Sequence, residues 1–469
     1  MKAILPVFDE SRKRPYYLQL YDYIKGAILE GEIKEGEKLP SLRSLAKSTK
    51  LSITTIEQSY NQLLVEGYIY SKAQSGYYVG RVISGAGQNL PLEDPGFDTE
   101  LPDLEDIVEK EFPSMQYDPD CFDFNKWKKC MNKILTDYSP SLFFEGDPQG
   151  EMGLRTEIAR YLYRSRGVSC TPDQIIIGAG TQQITSQLAT LLRKSGIEHV
   201  ALEDPGYTPV RSAFRDRGFA ITSVNVAENG LVIEKLPANI RTAAYVSPSN
   251  HIFTGSVMPV GRRYELLSWA ENNDSYIIED DYDSELRYFG RPIPALRSLE
   301  DKGNRVIYLS SFSSTLFAAV KISYMVLPPH LAGIFSSIAG EYSQTCSKLE
   351  QLTLAMFMET GNYQTHIKKL RKLYSEKLNT VCEAFASCAG DFVSLKNTSS
   401  GINVLLTIDS GKEPAQLKKE AESLGIPTVI LPGSGGSSTS MIFYYNQIPL
   451  NDITPLISDL TGLWRQDAV

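Results

Sequence analysis

Six apolar runs, with helical stretches between them, are the feature that most constrains the fold of residues 116–469. The runs are residues 174–177, 199–202, 242–246, 276–278, 305–309 and 323–327. Strands that alternate with helices join as βαβ units, and the long crossovers of these units place neighbouring strands parallel. We therefore predict an α/β domain with a mainly parallel sheet. Its functional side chains are expected at the carboxyl ends of the strands.

Polar segments directly follow most of these runs. They are 178–183 (GAGTQQ), 203–207 (EDPGY), 247–251 (SPSNH), 279–285 (EDDYDSE) and 310–315 (SSFSST). The glycine turn at 178–183 opens a helical stretch, and the N–H groups and dipole of a helix N-terminus suit a phosphate. The acidic segment is either a solvated loop or a buried carboxylate site, and its direct attachment to an apolar strand favours the second. His251 is as readily structural as functional.

Composition places the chain among ordinary soluble proteins. Its 469 residues are 42% hydrophobic and 22% charged, and they are enough for two or three domains. The first nine residues lack the pattern of a signal peptide, and no apolar run approaches the roughly 20 residues of a membrane helix. Six dilute cysteines indicate reduced thiols, and no residues have metal-ligand spacing. We expect a cytoplasmic protein without a metal.

Residues 1–80 form a separate head. Helical spacing covers 16–29, 41–47 and 52–66, with Ser41 and Ser52 as predicted N-caps, and residues 68–79 indicate a β-hairpin. Three helices and a hairpin make a winged helix-turn-helix. Residues 1–85 contain 12 Lys and Arg against 9 Asp and Glu, whereas the remainder contains 35 against 47. A mildly basic head on an acidic body is typical of a protein that contacts nucleic acid through its head.

Residues 81–115 separate the head from the body. They are acidic, rich in proline and glycine turns, and lack aliphatic periodicity. This composition predicts a flexible linker.

The head resembles the GntR-type DNA-binding domain. The resemblance rests on residues 36–46 (GEKLPSLRSLA) and 51–56 (LSITTI), together with Tyr60, Leu63 and Gly67. It implies a third helix in the major groove of double-stranded DNA. The implied contacts are Arg43 and Lys47 to phosphates, Ser52, Thr54 and Thr55 to the groove, and Lys72 and Gln74 in the wing. Where the family usually has arginine this chain has Ile53, which does not favour guanine readout at this position and allows an apolar contact with a thymine methyl.

The polar motifs of the body, in their order, resemble the aminotransferase-like body of MocR/GabR regulators. Segments 146–150, 258–260 and 293–296 also match, and the resemblance weakens past residue 390. It implies a fold-type I aminotransferase-like domain with a smaller C-terminal α+β subdomain and a site for pyridoxal 5′-phosphate (PLP). Carried over, Gly180, Thr181, Ser311 and Ser313 would hold the phosphate, Tyr207 would stack on the pyridine, Asp280 would pair with the ring nitrogen and Tyr282 with the ring hydroxyl.

Two positions depart from the family pattern Ser-x-Ser-Lys with arginine seven residues later. Ser314 stands at the lysine position, and a hydroxyl cannot form the imine that PLP catalysis needs. Lys321 stands at the arginine position and offers a point charge instead of a bidentate guanidinium. Arginines for a substrate carboxylate are also missing from 208–209 and 446–447. We therefore expect that the protein is not an enzyme. We expect its ligand to be either PLP bound non-covalently or another effector.

Three functions remain open. The first is a transcriptional regulator, a head-to-tail homodimer on paired half-sites, whose body senses a small molecule without a Schiff base. The second is a PLP-dependent aminotransferase with an accessory domain, which would need an imine lysine; the nearest, Lys321, is seven residues away. The third is a regulator whose body is only a dimerisation scaffold.

Overall fold

The computed structural model describes residue 8 and residues 14–82, 118–288, 293–301, 304–431 and 438–465. The chain divides into two compact units, Met1–Ile107 and Val108–Val469. The predicted linker at 81–115 lies outside the described residues apart from Arg81 and Val82. Across the described residues, no helix combines the length and apolar character needed to cross a bilayer.

The first unit contains a winged helix-turn-helix. Its elements are α1 (Tyr16–Leu29), α2 (Leu42–Thr49), α3 (Ile53–Val65), β1 (Ile69–Lys72) and β2 (Gly76–Val79), and the two strands pair antiparallel. Ser41 accepts a hydrogen bond from the Ser44 amide at 3.2 Å, and Ser52 accepts one from the Thr55 amide at 3.1 Å. Both predicted N-caps are confirmed.

One apolar core joins the helices of the head to its hairpin. Leu20, Ile24, Leu45, Ile56 and Leu63 are almost fully buried in it. Their spacing is that of amphipathic helices, whose apolar stripes must pack on each other because none can be buried alone.

The second unit is built on an eight-stranded sheet of order β3-β10-β9-β8-β7-β4-β5-β6. The strands are β3 (Ile175–Ala179), β4 (His199–Asp204), β5 (Ala220–Ala227), β6 (Gly230–Leu231), β7 (Thr242–Val246), β8 (Tyr276–Asp280), β9 (Val306–Ser311) and β10 (Ile322–Val326). The four pairs from β9 through β5 are parallel. The fold prediction is confirmed. β10 runs antiparallel between β3 and β9 because the short segment 312–321 cannot make a parallel crossover.

Helices cover both faces of this sheet. The α-helices among the described residues of the second unit are α4 (Phe124–Asp137), α5 (Met152–Arg166), α6 (Thr181–Lys194), α7 (Thr208–Asp216), α8 (Val260–Asn272), α9 (Pro329–Ile338), α10 (Lys348–Glu359), α11 (Asn362–Cys388), α12 (Pro414–Ser423) and α13 (Ile453–Trp464). Ile175 and Ile177 pack in one core with Leu154 of α5, whereas Ile176 packs in another with Leu188 of α6. Burial on both faces explains why the strand sequences are continuously apolar.

The C-terminal residues form the smaller α+β part. Its antiparallel sheet has the order β11-β12-β14-β13, formed by β11 (Val393–Lys396), β12 (Asn403–Ile408), β13 (Thr428–Ile430) and β14 (Thr439–Tyr444). α11, α12 and α13 pack on it through residues such as Phe385, Leu417 and Trp464. This part lies beyond the sequence motifs, yet its segment at 439–447 reaches the site described next.

Candidate functional site

A cavity of about 1050 Å³ opens at the carboxyl edge of the eight-stranded sheet. All nine residues that the sequence predicts for a cofactor line it, namely Gly180, Thr181, Tyr207, Asp280, Tyr282, Ser311, Ser313, Ser314 and Lys321. They come together because β3, β4, β8 and β9 end at this edge and β10 starts there.

One end of the cavity offers groups that suit an anion. Gly180 caps the N-terminus of α6 with φ of 85°, a left-handed conformation that glycine adopts at no steric cost. The Lys321 side chain passes this glycine, whose added Cβ would lie 4.0 Å from Lys321 Cδ. Ser311 and Ser313 place their hydroxyls 3.3 Å apart beside them. A helix N-terminus, two hydroxyls and an ammonium are the donors that a phosphate takes.

A carboxylate also lines the cavity. Asp280 ends β8, and the Tyr245 hydroxyl donates to its Oδ2 at 2.5 Å. Burial raises the pKa of Asp280 to about 6, although the Tyr245 hydrogen bond opposes the shift. Tyr207 is 41% exposed at the cavity and presents an aromatic side chain. An acid group and an aromatic face are what a planar, basic ring requires.

Next to Asp280, the acidic segment is buried, and Asp281 is paired within the protein. Asp281 forms a bidentate pair with Arg166, at 2.8 Å from both Nε and Nη2, and accepts hydrogen bonds from Tyr308 and Ser284. Arg166 and Asp281 are 4% and 0% exposed as side chains. The alternative of a solvated acidic loop is therefore wrong. Asp281 anchors the segment that carries Asp280, which fixes the position of the cavity carboxylate.

Glu203 and His251 lie next to each other at the cavity, with His251 Nε2 3.7 Å from Glu203 Oε2. Burial raises the pKa of Glu203 to about 8, opposed by the Ser247 amide that it accepts at 3.1 Å, and burial lowers the pKa of His251 to about 4. His251 Nε2 faces the Pro205 carbonyl at 3.1 Å, so that nitrogen carries the proton, while Nδ1 accepts from Thr254. Both ring nitrogens therefore have hydrogen-bond partners within the protein.

Two lysines lie in or next to the cavity. Lys321 lies beside Gly180, in a left-handed conformation with φ of 49° just before β10. Lys377 is fully buried nearby, paired with Asp118 at 2.5 Å and donating to the Asn446 carbonyl at 2.7 Å. Lys377 is therefore held by structural contacts, and Lys321 lies beside the helix N-terminus that suits an anion.

The cavity does contain one arginine that the sequence motifs did not indicate. Arg211 lies on α7, beyond the expected position at 208–209, and its guanidinium donates to Ser223 at 3.0 Å. Asn446 and Gln447, at the other expected arginine position, line the cavity with neutral side chains.

The head presents its predicted DNA contacts in two groups. Arg43, Lys47 and Thr54 are exposed on α2 and α3. Ser52 and Thr55 are occupied by capping, since their hydroxyls lie 2.8 Å apart and Ser52 already accepts the Thr55 amide.

Ile53 and the wing add apolar and aromatic surface to this interface. Ile53 is 49% exposed at the start of α3. Tyr70 and Tyr78 stack with their ring centroids 5.9 Å apart, and Lys72 Nζ lies 4.7 Å from the Tyr78 centroid. Gln74 forms the turn with φ of 59° and is exposed. The wing therefore carries its positive charge on a rigid aromatic support.

The sequence reasoning missed Tyr245, Glu203 and Arg166. Tyr245 lies inside an apolar strand, and Arg166 ends a helix 115 residues before Asp281. Glu203 stands in the quoted motif, yet only the fold shows that it is buried. Among the described residues, no cluster of three or more His, Cys, Asp or Glu side chains could hold a metal ion.

Family models match both units. The model described as "Bacterial regulatory proteins, gntR family" matches residues 16–79, and the model "Aminotransferase class I and II" matches residues 115–424. The solved structure of Pyrococcus horikoshii kynurenine aminotransferase, in complex with PMP, shares the fold with a TM-score of 0.64 at 21% identity. The match covers 78% of this chain and 95% of that one.

Curated relatives share both units together. The chain is 38% identical over 424 residues to the uncharacterized HTH-type transcriptional regulator YdeL of Bacillus subtilis (strain 168), covering 90% of each chain. It is 29% identical over 438 residues to the probable rhizopine catabolism regulatory protein MocR of Rhizobium meliloti, covering 90% of this chain and 87% of that one. The chain thus belongs to the family of HTH-type transcriptional regulators that fuse a GntR head to an aminotransferase class I and II body.

Proposed function

We propose that this transcriptional regulator binds a phosphopyridoxyl ligand non-covalently in its aminotransferase-like body and thereby changes the affinity of its head for DNA. The observation that carries the proposal is the meeting of all nine predicted residues at one cavity, with a serine at the position of the family's lysine. The structural neighbour from Pyrococcus horikoshii is described in complex with PMP, the amine form of the same cofactor.

The residues present fit such a ligand. Gly180, Ser311, Ser313 and Lys321 supply donors for the phosphate at the N-terminus of α6. Asp280 would face the pyridine nitrogen, and a protonated ring there would lower the pKa that burial has raised. When bound in an enzyme, the cofactor supplies an electron sink. In this protein the ring and its charges would serve only to bind the ligand to the body.

The body is not expected to catalyse amino-acid chemistry. Ser314 has no amine to bond to the ligand, and a hydroxyl cannot replace it. Lys321 lies at the phosphate end, and Lys377 is held by Asp118 and Asn446. The relatives that share both units are named as a transcriptional regulator and as a probable regulatory protein.

On the DNA side, the exposed Arg43 and Lys47 would hold phosphates, and Thr54 would reach base edges. Ser52 and Thr55 would contribute from the helix N-terminus, and Lys72 and Gln74 from the wing. A head-to-tail homodimer would read two half-sites. The ligand shifts DNA affinity only if it binds the DNA-competent arrangement with a different affinity from the other.

The test begins with selection of a duplex from a random library by the purified full-length protein. Affinity for the selected duplex is then measured with and without PLP at fixed salt, for wild type, Asp280→Ala, Thr54→Ala and the exposed control Asp391→Ala. We expect PLP to change the affinity of wild type and the control by about 5- to 150-fold, as is usual for allosteric coupling. Asp280→Ala should bind DNA without responding to PLP, and Thr54→Ala should bind PLP but lose DNA affinity.

If addition of PLP leaves the DNA affinity of all four folded proteins unchanged, the result would contradict the sensing role. It would leave the body as a dimerisation scaffold.

A further inference from the structure

One carboxylate in the cavity stands apart from the rest. Asp283 follows Tyr282 in the acidic segment, lines the cavity and is 2% exposed. Both of its oxygens are buried without a hydrogen-bond partner. Burial raises its pKa to about 7, and the Ser314 and Tyr282 side chains lie close enough to oppose the shift, although neither makes a hydrogen bond to its oxygens. A buried carboxylate without partners is costly, so a group that pairs with it would be bound strongly.

The other cavity carboxylates already have partners. Asp280 accepts from Tyr245, Asp281 pairs with Arg166, Glu203 accepts from Ser247, Asp118 pairs with Lys377 and Glu422 pairs with Lys418. Asp283 also borders a smaller cavity lined by Arg166 and Arg287, but neither guanidinium is a hydrogen-bond partner of its oxygens. Among the described carboxylates of the cavity, Asp283 is the one whose oxygens have no hydrogen-bond partner, so it can pair with a cationic group of a ligand.

Ser314 indicates where that cation would come from. It lines the cavity next to Asp283, and it occupies the position where the family pattern has lysine. A lysine there would bring an ammonium close to Asp283. This chain keeps the carboxylate and lacks the side-chain amine, so a positive group on the ligand can complete the pair.

We propose that Asp283 is the counter-ion of a protonated amine on the ligand, so that the body selects the aminomethyl form of the phosphopyridoxyl group. The inference rests on the proposed function and adds which chemical form of that ligand is sensed. The preferred ligand is then pyridoxamine 5′-phosphate. Pyridoxine 5′-phosphate, which has a hydroxymethyl group at the same carbon, keeps the ring and phosphate contacts but leaves Asp283 unpaired.

The two ligands make a matched pair for calorimetric titration of the full-length protein. The titration is done at about pH 8, where Asp283 is charged if unpaired and both phosphates are ionised. A charge-assisted hydrogen bond predicts that wild type binds the amine roughly 10- to 100-fold tighter than the alcohol. Asp283→Asn should bring this ratio close to one while keeping the affinity for pyridoxine 5′-phosphate. Ser314→Lys, which supplies an internal amine, should also abolish the preference.

Asp391→Asn, at an exposed site, is the matched control and should keep the wild-type ratio. Equal affinities in wild type, or a preference that survives Asp283→Asn, would overturn the amine site and leave phosphopyridoxyl binding intact. Binding of neither ligand to wild type would overturn the proposed function as well. If Asp283→Asn does not fold, the ratio in wild type and in Ser314→Lys decides.

Discussion

Replacement of Asp283 by asparagine should make the body more stable, and increasingly so as the pH rises. The folded-state pKa of Asp283 is about 7, against 3.8 for an unperturbed aspartate. A raised pKa means that folding favours the protonated acid. The corresponding stability is fully present below about pH 4 and is lost as the pH rises through about 7. At about 1.4 kcal/mol per pKa unit, the complete loss is about 4 kcal/mol, of which about 2 to 3 kcal/mol falls between about pH 5 and pH 8.

The amide of Asp283→Asn does not titrate, so its advantage over wild type should grow by this amount between the two pH values. The assay is urea unfolding of the full-length chain at both pH values, without ligand, followed by a signal from the second unit. Glu203, whose pKa is also raised by burial, titrates in both proteins and cancels in the difference. The charges of Glu285 and Asp280 contribute to the raised pKa of Asp283, so their interaction with it is part of the measured difference.

The exposed control Asp391→Asn should differ from wild type by the same small amount at both pH values. A difference between Asp283→Asn and wild type that is independent of pH would refute the account of Asp283 as a buried carboxylate without a partner.

Three further outcomes follow from the same geometry. Ser314→Lys should form a covalent link with PLP, seen as a mass increase after borohydride reduction that wild type lacks; no adduct at this lysine would show that position 314 is not next to the reactive carbon. Arg166→Met should destabilise the body by about 3 to 5 kcal/mol because it leaves Asp281 buried without its counter-charge, whereas the exposed Arg160→Met should change the free energy of unfolding little. If Lys72 contacts a DNA phosphate from the wing, Lys72→Ala should weaken binding to all DNA sequences alike and reduce the salt slope by about one; an altered sequence preference would contradict a phosphate contact.

Much of the fold could be predicted because the central strands are buried on both faces. Continuous apolar runs such as 175–177 and 242–246 are recognisable in the sequence as buried strands, and the motifs that follow them lie at one edge of the sheet. β5 went unnoticed because it mixes exposed polar residues with apolar ones near the edge of the sheet. The C-terminal sheet was predicted mainly from the family resemblance, and its short strands gave weak signals.

The sequence predicts which residues line the cavity, but it does not predict which side chains form hydrogen bonds or ion pairs with them. Local motifs brought all nine cavity residues together, but the partner of Asp280 is 35 residues away and that of Asp281 is 115 residues away. No local spacing encodes such contacts. No pattern of residues indicates that Asp283 is buried without a partner, since neighbouring acidic residues in a turn are usually solvated.

The most direct test of the central claim is the visible absorption spectrum of the purified protein after addition of PLP, read together with calorimetric heats for wild type and Asp280→Ala. The account predicts measurable heat for wild type, its loss in Asp280→Ala, and no absorption band of a covalent PLP–lysine adduct in either protein. A covalent band in wild type would contradict the claim and return attention to Lys321 and Lys377. Absence of both heat and band would show that the cavity does not take PLP.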